Sequence, residues 1–411
     1  MTFYSERKDL TKMLQLENVY QAAFALKNII RNTELIRAPK INPDVNLYIK
    51  PENLQITGSF KVRGAAYKIS RLTEEEKARG VIACSAGNHA QGVALAAARN
   101  NIKSVICLPD IAPISKVEAT RAYGAQIELV NGVYDDAYNY ALKLKDEMGY
   151  TFIHPFDDDY VIAGQGTIAI EILNENPDVE AIVVPVGGGG LISGIAYAVK
   201  MLRPDVKVYG VQAAGAPSMV NSIGEGKILT LDSVSTFADG ISVKQPGENT
   251  FAICSKYVDD FVTVTDDETA NAILALMENQ KLVAEGAGAV SVAAVMFNKL
   301  PVKGKNTVCV VSGGNVDVTI LSRIIDRGLL KSGRLEKLSI HLTDKPGQLR
   351  DMSAIIAEAG ANIVSVNYEH AEKGSDVNSC IIRIELETKD RAHIKEVRKA
   401  LSDAGFHIMN K

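Results

Sequence analysis

Short segments dominated by apolar residues recur along this chain, at 45–49, 81–84, 104–108, 126–130, 181–186, 206–211 and 308–311. Each is short for a helix and most are rich in Val and Ile, and outside 126–130 there is little alternation with polar residues, so they read as strands, mostly buried on both faces. Between them the apolar positions recur at helical spacing, predicting helices over 18–30, 88–99, 115–123, 135–147, 160–173, 191–202, 268–280 and 318–330. Strands and helices in this alternation predict parallel sheets covered by helices, with ligands expected at the turns that follow the strands. The pattern changes after 330. A polar linker at 331–335 leads to a strand at 338–342, a helix at 347–359, two strands at 362–369 and 377–384 paired around Glu372-Lys373-Gly374-Ser375, a helix at 392–404 and a last strand at 406–409. That order, βαββαβ over about 75 residues, is the ferredoxin-like unit and predicts a separate domain over 336–411.

Four of the turns carry chemistry. In Ser59-Phe60-Lys61-Val62-Arg63-Gly64-Ala65 a lysine sits at a helix start, with Ser59 placed to cap it. The helix dipole opposes a cation there, and apolar neighbours withhold water, so the Lys61 amine should lose its proton readily, as a Schiff-base lysine requires. Ser85-Ala86-Gly87-Asn88-His89-Ala90-Gln91-Gly92 follows a strand and opens a helix. Its free backbone N–H groups suit a carboxylate or phosphate, and the Asn88 amide is a neutral donor for a phenolate oxygen. His89 is expected to be a packed or capping residue.

Pro185-Val186-Gly187-Gly188-Gly189-Gly190-Leu191 lets the backbone wrap a phosphate at a helix N-terminus. It lacks the Gly-Lys-Ser/Thr of a nucleotide-binding P-loop, and the next strand ends at Gln212 without an acid for a ribose, so a monophosphate fits best. Val311-Ser312-Gly313-Gly314-Asn315 offers a hydroxyl that can face a pyridine nitrogen. An amine, a neutral donor, a phosphate cup and a ring-nitrogen partner are the four handles of pyridoxal phosphate.

The composition narrows the partners. A net charge of -4 over 411 residues supplies no field for nucleic acid or acidic membranes. Cys84, Cys107, Cys254, Cys309 and Cys380 are dispersed and odd in number, which points to reduced thiols in a cytoplasmic protein and to no metal site. The apolar stretch 181–199 approaches membrane-span length, but Pro185 and five glycines break it into strand, turn and helix.

In their order and combination, these motifs resemble those of the tryptophan-synthase-β-like, fold type II pyridoxal-phosphate enzymes, and within them the serine/threonine dehydratase family in its threonine ammonia-lyase form with one C-terminal ACT regulatory domain. The resemblance implies a catalytic domain over 1–330, two parallel-sheet subdomains with the smaller at about 52–155, and an ACT domain over 336–411. It implies that Lys61 carries the cofactor and, once freed, acts as general base in a β-elimination that yields 2-oxobutanoate and ammonia from threonine, or pyruvate from serine. Phe60 would pack on the ring, Asn88 bond its phenolic oxygen, Gly187, Gly188, Gly189, Gly190 and Leu191 hold the phosphate, and Ser312 face the ring nitrogen. Ser85, Ala86, Gly87, Asn88 and His89 would take the substrate carboxylate, Ser85 being also the position of a second acid or base in racemases. Gly240 and Glu285 lie in further matching segments, Phe237-Ala238-Asp239-Gly240 and Ala284-Glu285-Gly286-Ala287-Gly288.

In the tail, Gly347, Gln348 and Leu349 match the ACT strand-to-helix loop, with Asn362 as an effector partner, and pairing of ACT domains implies a homodimer or homotetramer. Serine racemase or serine dehydratase activity, and a non-catalytic amino-acid sensor, stand as alternatives. So do isoleucine, valine or no effector. Some relatives bind a divalent metal beginning with an acidic ligand where Gln212 stands, which argues against that metal. A neutral hydroxyl at 312 leaves the pyridine a weak electron sink, which favours prompt loss of the β-leaving group. Ser312→Asp should therefore raise the share of transamination products, and an unchanged product partition would contradict this role for Ser312.

Overall fold

The computed structural model describes residues 14–112, 114–370 and 379–409. They form two compact units, 1–316 and 317–411. The first unit holds two sheets. One has six strands in the order Ile36–Arg37, Asn46–Pro51, Asn306–Val311, Ala181–Pro185, Lys207–Ala213, Asp260–Val264, and is parallel except for its first pair. The other is wholly parallel, with Gln126–Val130, Ser104–Pro109, Val81–Cys84 and Thr151–Phe152 in that order. Helices connect most successive strands, and the apolar residues of the central strands are buried, as expected of a sheet covered on both faces, while the edge strands Gln126–Val130 and Asp260–Val264 are only partly covered.

The helices begin and end where local chemistry directs. Asp158 accepts the N–H groups of Tyr160 and Val161 at the start of Asp159–Glu175, and Thr265 with Glu268 forms a capping box for Asp266–Ala275. That helix then widens into a π turn at Leu276–Gln280, where the sequence pattern continues without interruption. The helix Gly286–Met296 has all but one of its residues buried, including Gly286, Gly288 and Ser291. Being apolar on every side, it shows no helical stripe to find.

Lys61 is the first residue of the helix Lys61–Ser70, but Ser59 does not cap it. Phe60 occupies the position before the helix, and Ser59 forms an isolated antiparallel bridge to Gly313, which turns its fully buried hydroxyl away to a place without a protein partner. The helix is anchored instead by Arg63, one turn in and fully buried. Its guanidinium takes both oxygens of Glu52 at 2.7 and 2.8 Å and both oxygens of Glu171 at 2.6 and 2.8 Å, with Thr167 Oγ1 at 3.1 Å. Fully buried Lys50 closes the network, donating to Thr33 O at 2.5 Å and to Glu171 at 2.7 Å. Burial alone would raise the Glu52 pKa, but the Arg63 charge and bonds hold it below the usual carboxylate range.

The second unit is a four-stranded antiparallel sheet in the order Asn362–His370, Ser379–Glu387, Leu335–Thr343, His407–Ile408, with the helices Gln348–Glu358 and Arg391–Asp403 packed on the sheet core. This is the βαββαβ arrangement expected of the tail. The expected turn Glu372-Lys373-Gly374-Ser375 lies outside the described residues. The helix Val318–Ser332 belongs to this unit. Among the described residues no helix is long and apolar enough to cross a membrane.

Arg63→Met should strand Glu52 in the interior and lower the stability of the first unit by about 3–5 kcal/mol. Arg63→Met combined with Glu52→Gln should recover part of that loss. Urea midpoints of the two variants check this, and a single variant as stable as the parent would contradict the anchoring role.

Candidate active site

The expected residues converge at the C-terminal ends of strands from both sheets. The Lys61 Nζ donates to Pro155 O at 2.8 Å and lies 5.3 Å from the Phe60 ring centroid. Burial pulls its pKa from 10.5 to about 8, and the Glu285 carboxylate opposes that fall. The amine is therefore deprotonated within reach of neutral pH, as a nucleophile or base requires.

Residues 154–157 join the lysine to the glycine loop, a contribution that sequence reasoning missed. The Phe156 ring lies where a Cβ on Gly188 would stand 2.5 Å away, and the Phe156 backbone lies 2.8 Å from a Cβ on Gly190. Gly189 has φ +100°, a conformation that leaves the loop open to glycine alone. Thr250 Oγ1 donates to Gly188 O at 2.6 Å, while Asp157 accepts the Glu248 and Thr250 N–H groups at 3.1 and 3.0 Å and so fixes the helix that carries Thr250. Among the described residues the N–H groups of Gly187, Gly188 and Gly189 have no backbone acceptor, and the helix Gly190–Leu202 starts with no side-chain cap. A phosphate-sized anion fits this cradle, because side-chain-free backbone, free donors and the helix dipole coincide. Leu191 is buried behind it.

Asn88 opens the helix Asn88–Arg99, again without a side-chain cap. A Cβ on Gly87 would meet open space, and Ser85 Oγ accepts the Gly87 N–H at 3.2 Å, so the turn is held open toward the uncapped helix start. Ala86 packs against the core. The His89 ring is buried and committed to Ile153 O at 2.8 Å, and burial together with the nearby Lys61 charge holds its pKa down at about 3. Its imidazole is a packing group, and only its backbone faces the turn.

On the far side, Asn88 Nδ2 donates to Glu285 Oε1 at 2.7 Å. Burial and the charge of Asp239 push the Glu285 pKa up to about 7. Gly240 borders this carboxylate, since a Cβ there would come within 3.5 Å of Glu285 Oε1. Asp239 is paired in turn with Lys116 from the helix Ile114–Arg121. Ser312 is buried, its Oγ 3.3 Å from Ala287 O, and its own carbonyl accepts the Phe60 N–H at 3.1 Å. The hydroxyl thus holds only a long bond, which a better acceptor can replace. Gln212 is buried with its Oε1 on the Val220 N–H at 2.9 Å.

In the second unit Gly347 stands at φ +95°, immediately before the uncapped helix Gln348–Glu358. Leu349 is exposed, and Asn362 Nδ2 lies 3.4 Å from Glu387 Oε2.

Known proteins confirm the kinship that this geometry suggests. The model of the pyridoxal-phosphate-dependent enzymes matches residues 26–313, and that of the ACT domain matches 336–404. The chain belongs to the pyridoxal-phosphate-dependent enzyme family. It is 48% identical to the L-threonine ammonia-lyase of Thermotoga maritima, over 96% of this chain and 99% of that one. Threonine deaminase isoform 2 of Solanum lycopersicum superposes with a TM-score of 0.73 at 39% identity, over 78% of this chain and 89% of that chain. Maize serine racemase gives 0.73 at 33% identity, over 77% and 98%. The fold is that of a fold type II enzyme with a C-terminal ACT domain, and the cofactor is pyridoxal phosphate.

Capture of pyridoxal phosphate by the apoprotein through Lys61 should accelerate with a midpoint near pH 8. Glu285→Gln should move that midpoint lower, because it removes a negative charge that favours the ammonium form. Absorbance after rapid mixing reads both, and a parent midpoint near 10.5 would contradict a buried, depressed amine.

Proposed function

We propose that this chain is an L-threonine ammonia-lyase, forming 2-oxobutanoate and ammonia from L-threonine and pyruvate from L-serine. The observation that carries the reading is the Lys61 amine, brought to a pKa of about 8 beside an uncapped glycine cradle, in a chain similar over nearly its full length to an L-threonine ammonia-lyase. Pyridoxal phosphate, when bound, supplies an electron sink for the substrate α-carbon.

The protein's own groups do the rest. Gly187 to Leu191 would hold the phosphate through backbone N–H groups and the helix start, Phe60 would pack against the ring, and Asn88 would donate to its phenolic oxygen. The free N–H groups at the start of Asn88–Arg99, with the Ser85-Ala86-Gly87 turn, orient the substrate carboxylate. Lys61, whose buried amine loses its proton far more readily than an exposed lysine, would take the α-proton as general base. Ser312 would offer the ring nitrogen a hydroxyl and no charge, which would favour prompt loss of the β-leaving group. Gly240 and Glu285 line the same space.

The ACT domain favours an amino-acid effector at Gly347, Gln348, Leu349 and Asn362, in a cytoplasmic homodimer or homotetramer. Feedback by such an effector would place the enzyme in isoleucine biosynthesis. Serine racemase activity is the rival reading, favoured by the likeness to the maize enzyme.

Purified protein loaded with the cofactor should release 2-oxobutanoate from L-threonine, and L-isoleucine should suppress it. Turnover indifferent to isoleucine and valine would remove the regulatory reading and leave the chemistry. Formation of D-serine from L-serine without keto acid from threonine would overturn the lyase reading in favour of the racemase.

A further inference from the structure

A side-chain amide has a donor end and an acceptor end, and an Asn that turns over presents the wrong one. At Asn88 the choice is made by a residue on another strand end. Asn315 Nδ2 donates to Thr57 O at 2.8 Å, and a backbone carbonyl can only accept, which fixes the amide of Asn315. The same Nδ2 also meets Asn88 at 2.7 Å, so the atom of Asn88 facing it must be Oδ1. Asn88 Nδ2 is thereby directed to the opposite side, where one of its two N–H groups reaches Glu285 Oε1 at 2.7 Å. The other N–H has no acceptor within the described residues. The Asn315 amide occupies the space that a side chain at residue 58 would need, its Oδ1 lying where a Cβ on Gly58 would collide with it, so the close fit depends on glycine there, at φ +69°.

We propose that Asn315 is a positioning residue that locks the Asn88 amide with its donor end toward the cofactor, the direction being set by Thr57 O and completed by Glu285. The inference rests on the reading that Asn88 faces the phenolic oxygen of pyridoxal phosphate. A phenolate there needs a donor. A reversed amide would offer it a second lone pair, lose the bond to Glu285, and leave a buried acceptor opposed to an acceptor. Glu285, whose proton is lost near neutrality because of burial and Asp239, is charged and accepting above that pH, which reinforces the same orientation. Asn315 acts only through Asn88 and need not touch substrate.

The test uses the full-length holoprotein without substrate and reads two quantities, the dissociation constant of pyridoxal phosphate and the position and pH dependence of the visible absorption band. Asn315→Asp places a carboxylate beside Asn88 Oδ1 and should turn the amide over. Asn315→Ala removes the lock without reversing it, and serves if the charged variant does not fold. Asn315→Asp should weaken cofactor binding about tenfold, the loss expected of one buried hydrogen bond, and shift intensity from the visible band to the near ultraviolet. Asn315→Ala should do the same to a smaller degree.

The double variant Asn88→Ala, Asn315→Ala should be no weaker than Asn88→Ala alone, because a lock has nothing to act on once Asn88 is gone. If the two losses add, Asn315 has a merely structural role and the proposal fails. If Asn88→Ala changes both quantities and the Asn315 variants change neither, the proposal fails while the reading of Asn88 stands. If Asn88→Ala changes neither, that reading falls and the proposal falls with it.

Discussion

The catalytic unit depends on one buried cation. Arg63 is fully enclosed, and a guanidinium in such a place is tolerable only when carboxylates surround it. Glu52 comes from the segment that follows a strand of the large sheet, and Glu171 from the helix Asp159–Glu175, so one side chain fixes the Lys61 helix against both. Lys61 lies two residues earlier on the same helical turn. The arrangement separates two demands that one lysine cannot meet alone. Arg63 carries the permanent charge and the geometry, while Lys61 is left in a buried pocket where its charge is more easily lost.

The pocket is built to withhold charge at each polar position. His89 is neutral and packed, Asn88 and Ser312 are neutral donors, and Glu285 is a carboxylate pushed toward neutrality. In the proposed site the phosphate of the cofactor would be met by the unpaired backbone N–H groups of the glycine loop rather than by lysine or arginine. On the proposed placement, the ring nitrogen would meet a hydroxyl at Ser312 and no carboxylate that would favour a long-lived carbanion. The same economy explains why the loop is glycine. Phe156 stands where any side chain at 188 or 190 would have to go, which ties the cradle to the lysine through Pro155 and Phe156.

Much of this was legible from residue types alone, where the signal is local. The glycine run, most strand ends and the helix starts at Asn88 and Leu191 follow from backbone freedom and from apolar segments, and the structure puts them there, with the second helix starting one residue earlier at Gly190. What could not be read is what depends on distant partners. Ser59 has the right chemistry and spacing for a cap, yet the bridge to Gly313, more than 250 residues away in sequence, takes its backbone elsewhere. Arg63 and Asn315 stood in recognised motifs and Phe156 in none, but the roles of all three come from Glu171, Thr57 and Gly188, and no periodicity announces those pairings. The helix Gly286–Met296 and the strand Asp260–Val264 were missed for opposite reasons, the first being apolar all round and the second only partly buried.

The central claim is that Lys61 both holds the cofactor and moves the α-proton. Chemical rescue tests it most directly. The Lys61→Ala protein, loaded with pyridoxal phosphate, is assayed for 2-oxobutanoate from L-threonine with and without small primary amines. The account predicts turnover reduced by about a thousandfold or more, as expected for a missing general base, and partial recovery that grows with amine basicity. An alanine variant that turns over threonine at the parent rate would contradict it.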